Sequence, residues 1–192
     1  MRYFFIFIFI LSGITTYSQF TVTIQWQPVS ASAAGDTMYY DAGKKLTWND
    51  FRGTPDHKSI AAAITASGFG YTMAMNGRGN KTNVVITVYC FFNKSNSWVK
   101  RGMKNDYGLL HEQHHFDITY LLASRFIQRL KGASFTRNNY ETLLEKINND
   151  TYAELEKMQN DYDGQTKNGQ LKDVQGEWNE KVDKLLALAI TN

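Results

Sequence analysis

The spacing of apolar residues changes near Asp106, and this limits the fold more than any other feature of the 192-residue chain. Before that point apolar residues alternate. "FTVTIQW" puts Phe20, Val22, Ile24 and Trp26 on one face, the pattern of a half-buried strand. "AAAITASGFGYTMAM" and "KTNVVITVYCFF" are strand-like and flank "NGRGN", whose turn chemistry predicts a hairpin around residues 76–80. "KKLTWNDFRG" reads as a short strand entering a turn at Gly53. Beyond Asp106 the spacing is helical. Leu110, Ile118, Leu121, Leu122, Phe126 and Leu130 predict a helix from Tyr107 to Leu130 that stops at Gly132. Tyr140, Leu143, Leu144, Ile147, Leu155 and Met158 predict a second, from Arg137 to about Tyr162, capped by Thr136. Val174, Trp178, Val182, Leu185 and Leu186 predict a third, from Lys172 to Ala189, with "DGQTKNGQ" as the loop before it. An antiparallel β-rich half followed by three helices is an α+β architecture.

The first stretch stands apart. "MRYFFIFIFILSGITTYSQF" has one early charge at Arg2 and an apolar run from Tyr3 to Leu11, then small or polar residues. Thr16 and Ser18 fit the −3 and −1 positions of a cleavage site. Residues 1–18 therefore read as a signal peptide, and residues 19–192 as one exported domain, secreted or periplasmic, with no stable membrane insertion after processing. The run is shorter than the roughly 20 residues that a membrane span requires. The single cysteine, Cys90, lies in the strongest strand pattern and reads as a core residue. The segment 19–105 has ten Lys/Arg against four Asp, whereas 106–192 has ten against fourteen Asp/Glu. Neither holds a cationic cluster dense enough for nucleic acid.

Three of the four histidines fall within "LLHEQHHFDI". His111, Glu112 and His115 form H-E-x-x-H. On a helix, residues i and i+4 share a face, so His111 and His115 can chelate one Zn²⁺. Glu112, turned about 100° from His111, stands beside the metal as a general base. Zinc lowers the pKa of water toward roughly 7. This is the arrangement of a zinc-dependent peptidase acting on peptides or proteins. His114 faces another way and has no evident task.

A catalytic zinc needs a third protein ligand. His57 lies in a polar turn. A helical hairpin turning near Ser134 brings Glu154 and Glu156 level with the motif, and both also suit a solvated surface. Asp161 and Asp163 form a further pair.

Taken together, "LTWNDFRG", "SWV", "LLHEQHHFDI", "YDGQT" and the downstream tryptophan of "GEWNEKV" resemble a bacterial domain-of-unknown-function family labelled as predicted secreted zinc-dependent proteases. The resemblance runs from about Leu46 to Val182. It implies a zincin-like domain with His111 and His115 as ligands and Glu112 as base. The family's tail pattern is Tyr-Asp-x-x-Thr-x-His. Tyr162, Asp163 and Thr166 match it, but Asn168 stands at the last position. On this pattern Asp163 is the favoured third ligand, with Asn168 a weaker one. The departure at Asn168 also opens an alternative, a metal-binding pseudoenzyme or a non-catalytic envelope binding module.

Overall fold

The computed structural model describes residues 19–27, 35–78 and 80–190. The expected signal peptide lies outside these residues. The first described element is β1 (Gln19–Trp26). It is followed by β2 (Thr37–Tyr39), β3 (Ala63–Ile64), β4 (Ser67–Arg78), β5 (Lys81–Asn93) and β6 (Trp98–Val99). Three helices complete the order: α1 (Asp106–Gly132), α2 (Tyr140–Thr166) and α3 (Lys172–Ile190). The architecture is α+β, with strands in the N-terminal half and three helices after them.

β5 is the centre of the main sheet. Its alternation buries Val84, Ile86, Val88, Cys90 and Phe92 on one face. β4 pairs antiparallel with it along the predicted hairpin. The other edge of β5 carries β2, antiparallel, and β1. Here the expectation of an antiparallel sheet is corrected, because β1 runs parallel to β5 from Gln19↔Lys81 to Trp26↔Val88. The hairpin partner β4 already occupies one edge of β5. β1 reaches the opposite edge from far away in sequence, so no tight turn dictates its direction. A second, two-stranded sheet pairs β3 with β6.

The expected strand in "KKLTWNDFRG" is also corrected. Trp48–Asp50 is a 3-10 turn. The Asp50 carboxylate accepts hydrogen bonds from the Thr47 backbone N–H at 3.0 Å and the Thr47 hydroxyl at 2.8 Å, closing a local ring that outcompetes a strand ladder.

α1 lies on the buried face of the sheet. Asn105 caps it by accepting from the Gly108 N–H at 2.8 Å, and Asp106, Arg129 and Lys131 complement its dipole. Phe116, Ile118, Leu122, Phe126 and Leu130 fill the core beneath it. Leu110, expected on that apolar face, is instead exposed. α2 and α3 pack on the side of α1 that the sheet leaves open, so α1 is enclosed along most of its length. Cys90 is a free core thiol, and burial pushes its pKa well above the ordinary value.

Candidate metal centre

Seven consecutive residues of α1, from His111 to Asp117, include six that are buried, and five of these six are polar or charged. Groups of this kind are rarely buried without partners. Those of His111 and His114 come from α2 and α3, whereas Glu112, Gln113 and Asp117 are met by Thr65, Leu46 and Tyr40 of the N-terminal half.

His111 and His115 sit one helical turn apart, with their Nε2 atoms 3.2 Å from each other. α2 runs alongside and brings in Asp163. Its Oδ1 lies 3.2 Å from His111 Nε2 and 3.0 Å from His115 Nε2. These are the sequence-derived candidates His111, His115 and Asp163. Among the described residues they are the one group of three with ligand atoms this close together. A regular tetrahedron with such edges has its centre about 1.9 Å from each corner, close to the zinc–nitrogen and zinc–oxygen lengths of proteins.

The donor set itself is a test of fit. Asp163 Oδ1 is buried and receives no hydrogen bond of good geometry. Three electron-rich atoms crowded in this way repel one another unless a cation, proton or metal, lies among them. Two imidazoles and one carboxylate, with a side left open, are donors that suit zinc. The protonation behaviour of the protein alone follows the same geometry. Burial works to raise the Asp163 pKa, but the close approach of His111 and His115 outweighs it and holds the carboxyl well below the usual range. Burial works to lower the His115 pKa, but Asp163, the Glu112 charge and Gln159 outweigh it and raise it.

Both rings are held at their far nitrogen by glutamines that sequence patterns did not single out. Gln159 Oε1 lies 2.5 Å from His115 Nδ1, and Gln175 Oε1 lies 2.9 Å from His111 Nδ1. Tyr162 is fully buried, stacks on the His111 ring at 4.7 Å between centroids and accepts a hydrogen bond from Gln175 Nε2 at 2.7 Å. Burial keeps its phenol neutral, far above the ordinary value. Glutamine has no spacing signature, so the sequence pattern marks neither. Gln159 lies four residues before Asp163 on the same helix, and that is the one cue the sequence holds.

Glu112 is buried beside the cluster. Thr65 donates from its hydroxyl to Glu112 Oε2 at 2.7 Å and lies 3.1 Å from the Glu112 carbonyl oxygen. The cluster and Glu112 open onto a cleft of about 690 Å³. One wall of the cleft is the segment Ala61–Thr65 that contains β3, and another includes Tyr107, Asn168 and Gly169.

The other third-ligand candidates fall elsewhere. Glu154 pairs with Arg125 at 2.8 Å and with Arg129, away from the cluster. Glu156 lines the cleft without joining the three donors, and Asp161 pairs with Lys157 at 2.5 Å. His57 is exposed in its turn. Asn168 stands on the cleft wall in a left-handed conformation, φ 53°, and its N–H caps the Asp163 carbonyl at 2.8 Å. His114 is buried on another side of α1, 3.5 Å from Asp183, and burial lowers its pKa. Glu154→Ala should therefore leave zinc content unchanged and cost only about 0–1 kcal/mol of stability, the range of partly exposed ion pairs. Elemental analysis and denaturant unfolding of the variant check both parts.

Residues 106–170 match the family described as "Bacterial protein of unknown function (DUF922)". The match takes in α1, α2 and the turn after them, and so contains His111, Glu112, His115 and Asp163. It is narrower than the resemblance read from Leu46 to Val182, and it ends before Gln175. Its description names no activity. No curated protein and no solved structure matches the chain.

Proposed function

We propose that this DUF922-related chain is an exported zinc-dependent peptide hydrolase of zincin-like design, with zinc held by His111, His115 and Asp163 and with Glu112 as general base. The observation that carries the reading is the convergence of two imidazole nitrogens and an unpartnered buried carboxylate oxygen beside a second carboxylate, on an open cleft. When bound there, zinc supplies an acidified water and polarises a carbonyl.

The residues of the chain do the rest. Glu112 takes the proton of the attacking water and delivers it to the departing amine. Thr65 engages Oε2 of that carboxylate, and Oε1 is the oxygen assigned to the proton. The rim strand suits an extended peptide. Lys100 N–H donates to the Ala62 carbonyl at 2.8 Å, so the Ala63↔Val99 pair is a non-hydrogen-bonded one. The N–H and C=O of Ala63 therefore turn away from β6. A peptide laid along that edge gains main-chain hydrogen bonds, a common way for proteins to hold extended segments.

A second reading, zinc binding without turnover, is favoured by Asn168, which occupies the cleft wall where the resembled family has histidine. One experiment separates the two. Protein recovered from the medium or periplasm is expected to begin at Gln19 by intact mass and to carry about one zinc per chain. It should cleave members of a broad peptide library, lose that activity on chelation and regain it on zinc addition. Full zinc occupancy with no cleavage across the library would leave only the second reading.

A further inference from the structure

Each imidazole of the cluster is tied through Nδ1 to a glutamine, and each glutamine is tied back to the backbone of the histidine it serves. Gln159 Oε1 faces His115 Nδ1, while Gln159 Nε2 donates to the His115 carbonyl at 2.8 Å. Gln175 Oε1 faces His111 Nδ1, while Gln175 Nε2 donates to the Tyr162 hydroxyl, which donates to the His111 carbonyl at 3.3 Å. The two loops have the same logic, one closed directly and one through a phenol.

The direction of each loop is set at the backbone. A carbonyl oxygen only accepts, so the group facing it is an N–H or an O–H. That requirement fixes which way each carboxamide points and excludes the flipped arrangement, which would set oxygen against oxygen. With Oε1 at the ring, Nδ1 carries the proton. A neutral imidazole has one such proton, so Nε2 is a bare lone pair.

We infer that Gln159 and Gln175 are positioning residues that hold His115 and His111 in the Nδ1–H tautomer, aiming both Nε2 lone pairs with Asp163 Oδ1 at one point; the purpose of that aim rests on the zinc reading above. A carboxamide suits this task because it fixes the proton without adding a third negative charge beside Asp163 and Glu112. Gln175 comes from α3, so the tautomer of His111 depends on a helix outside the segment that matches DUF922.

Long-range ¹H–¹⁵N correlation spectra of the metal-free protein test this, at a pH high enough for both rings to be neutral. The expected result is Nδ1–H with bare Nε2 on both, the ties to Gln159 and Gln175 outweighing the mutual repulsion of the three bare atoms. Gln159→Leu and Gln175→Leu should each move the ring they serve to the Nε2–H form, where Asp163 Oδ1 accepts the proton. Each should also weaken zinc about 10–100-fold in competition with a chromogenic chelator, the usual cost of losing an outer partner. Gln175→Glu keeps an acceptor at Nδ1 and should keep the Nδ1–H form. A wild-type spectrum with Nε2–H on both rings overturns the inference, even where a leucine variant fails to fold. So do folded leucine variants that retain the Nδ1–H form and wild-type zinc affinity. The spectra involve neither metal nor substrate. Failure to hydrolyse peptides would therefore count against the proposed function and leave this assignment standing.

Discussion

Glu112→Gln should retain about one zinc per chain and lose peptide hydrolysis by about 10²–10⁴-fold, the usual contribution of a positioned base. The amide keeps the length and shape of the carboxylate. Its oxygen still accepts the Thr65 hydroxyl at the place of Oε2, so α1 and the rim segment stay joined. What disappears is a group able to take a proton. Stopped assays over a peptide library, with zinc measured on the same samples, give both numbers. A variant that keeps its zinc and more than a tenth of wild-type activity would remove Glu112 from the role of base. Thr65→Val is a useful companion, because it frees Oε2 without removing the carboxylate and should cost much less than Glu112→Gln.

Asp163→Ala should weaken zinc by more than about 100-fold, beyond the loss expected for an outer partner, and His111→Ala or His115→Ala should abolish binding. Asn168→Ala should change affinity little, since Asn168 contributes its backbone to the cap and lies outside the donor cluster. A proton competing with the proposed metal for the three donors would give binding a definite pH dependence. Held by Asp163, His115 has a raised pKa, so its contribution to the stability of the metal-free fold is present at low pH and fades as pH climbs through that raised value. Asp163 has a depressed pKa, so its contribution is present above the ordinary carboxyl range and fades as pH falls through the depressed value. The pair thus favours the metal-free fold most between about pH 4 and 6.5. Zinc requires neutral imidazole. The rise in Tm on adding zinc should accordingly grow from about pH 5 to about pH 8. A rise that shrinks over that interval would mean that the histidines are not the ligands.

The parts of this site that are local in sequence were legible, and the parts set by packing were not. H-E-x-x-H and the helix beneath it are both periodic features, so the placement of His111, Glu112 and His115 together on α1 is readable from the sequence. The level of α2 differs from the expected one by a few residues. A turn near Ser134 puts Glu156 opposite Gln113, yet α2 starts at Tyr140 and sets Gln159 against His115. That shift carries Glu154 off to Arg125 and Arg129 and brings Asp163 in. "DGQT" reads as loop in the sequence because it is polar and contains Gly164. It is the last turn of α2 instead, because residues 167–169 take left-handed conformations that end the helix, and the Thr166 hydroxyl accepts from the Gly169 N–H at 3.1 Å. Asp163 therefore stands on a rigid element.

The parallel pairing of β1 with β5 has a bearing on the order of events as the chain is made. The first segment of the described structure finds its partner in Lys81–Val88, roughly sixty residues later. Local hairpins close early, whereas a pairing of this span waits until the intervening chain exists and its loop entropy has been overcome. β1 is thus synthesised first and seated among the last. Nascent chains arrested before Asn93 should carry Val22, Ile24 and Trp26 open to protease, and full-length chains should protect them. The N-terminal strand acts as a late latch on the sheet that supports α1, so its protection reports that the sheet beneath the histidines has closed.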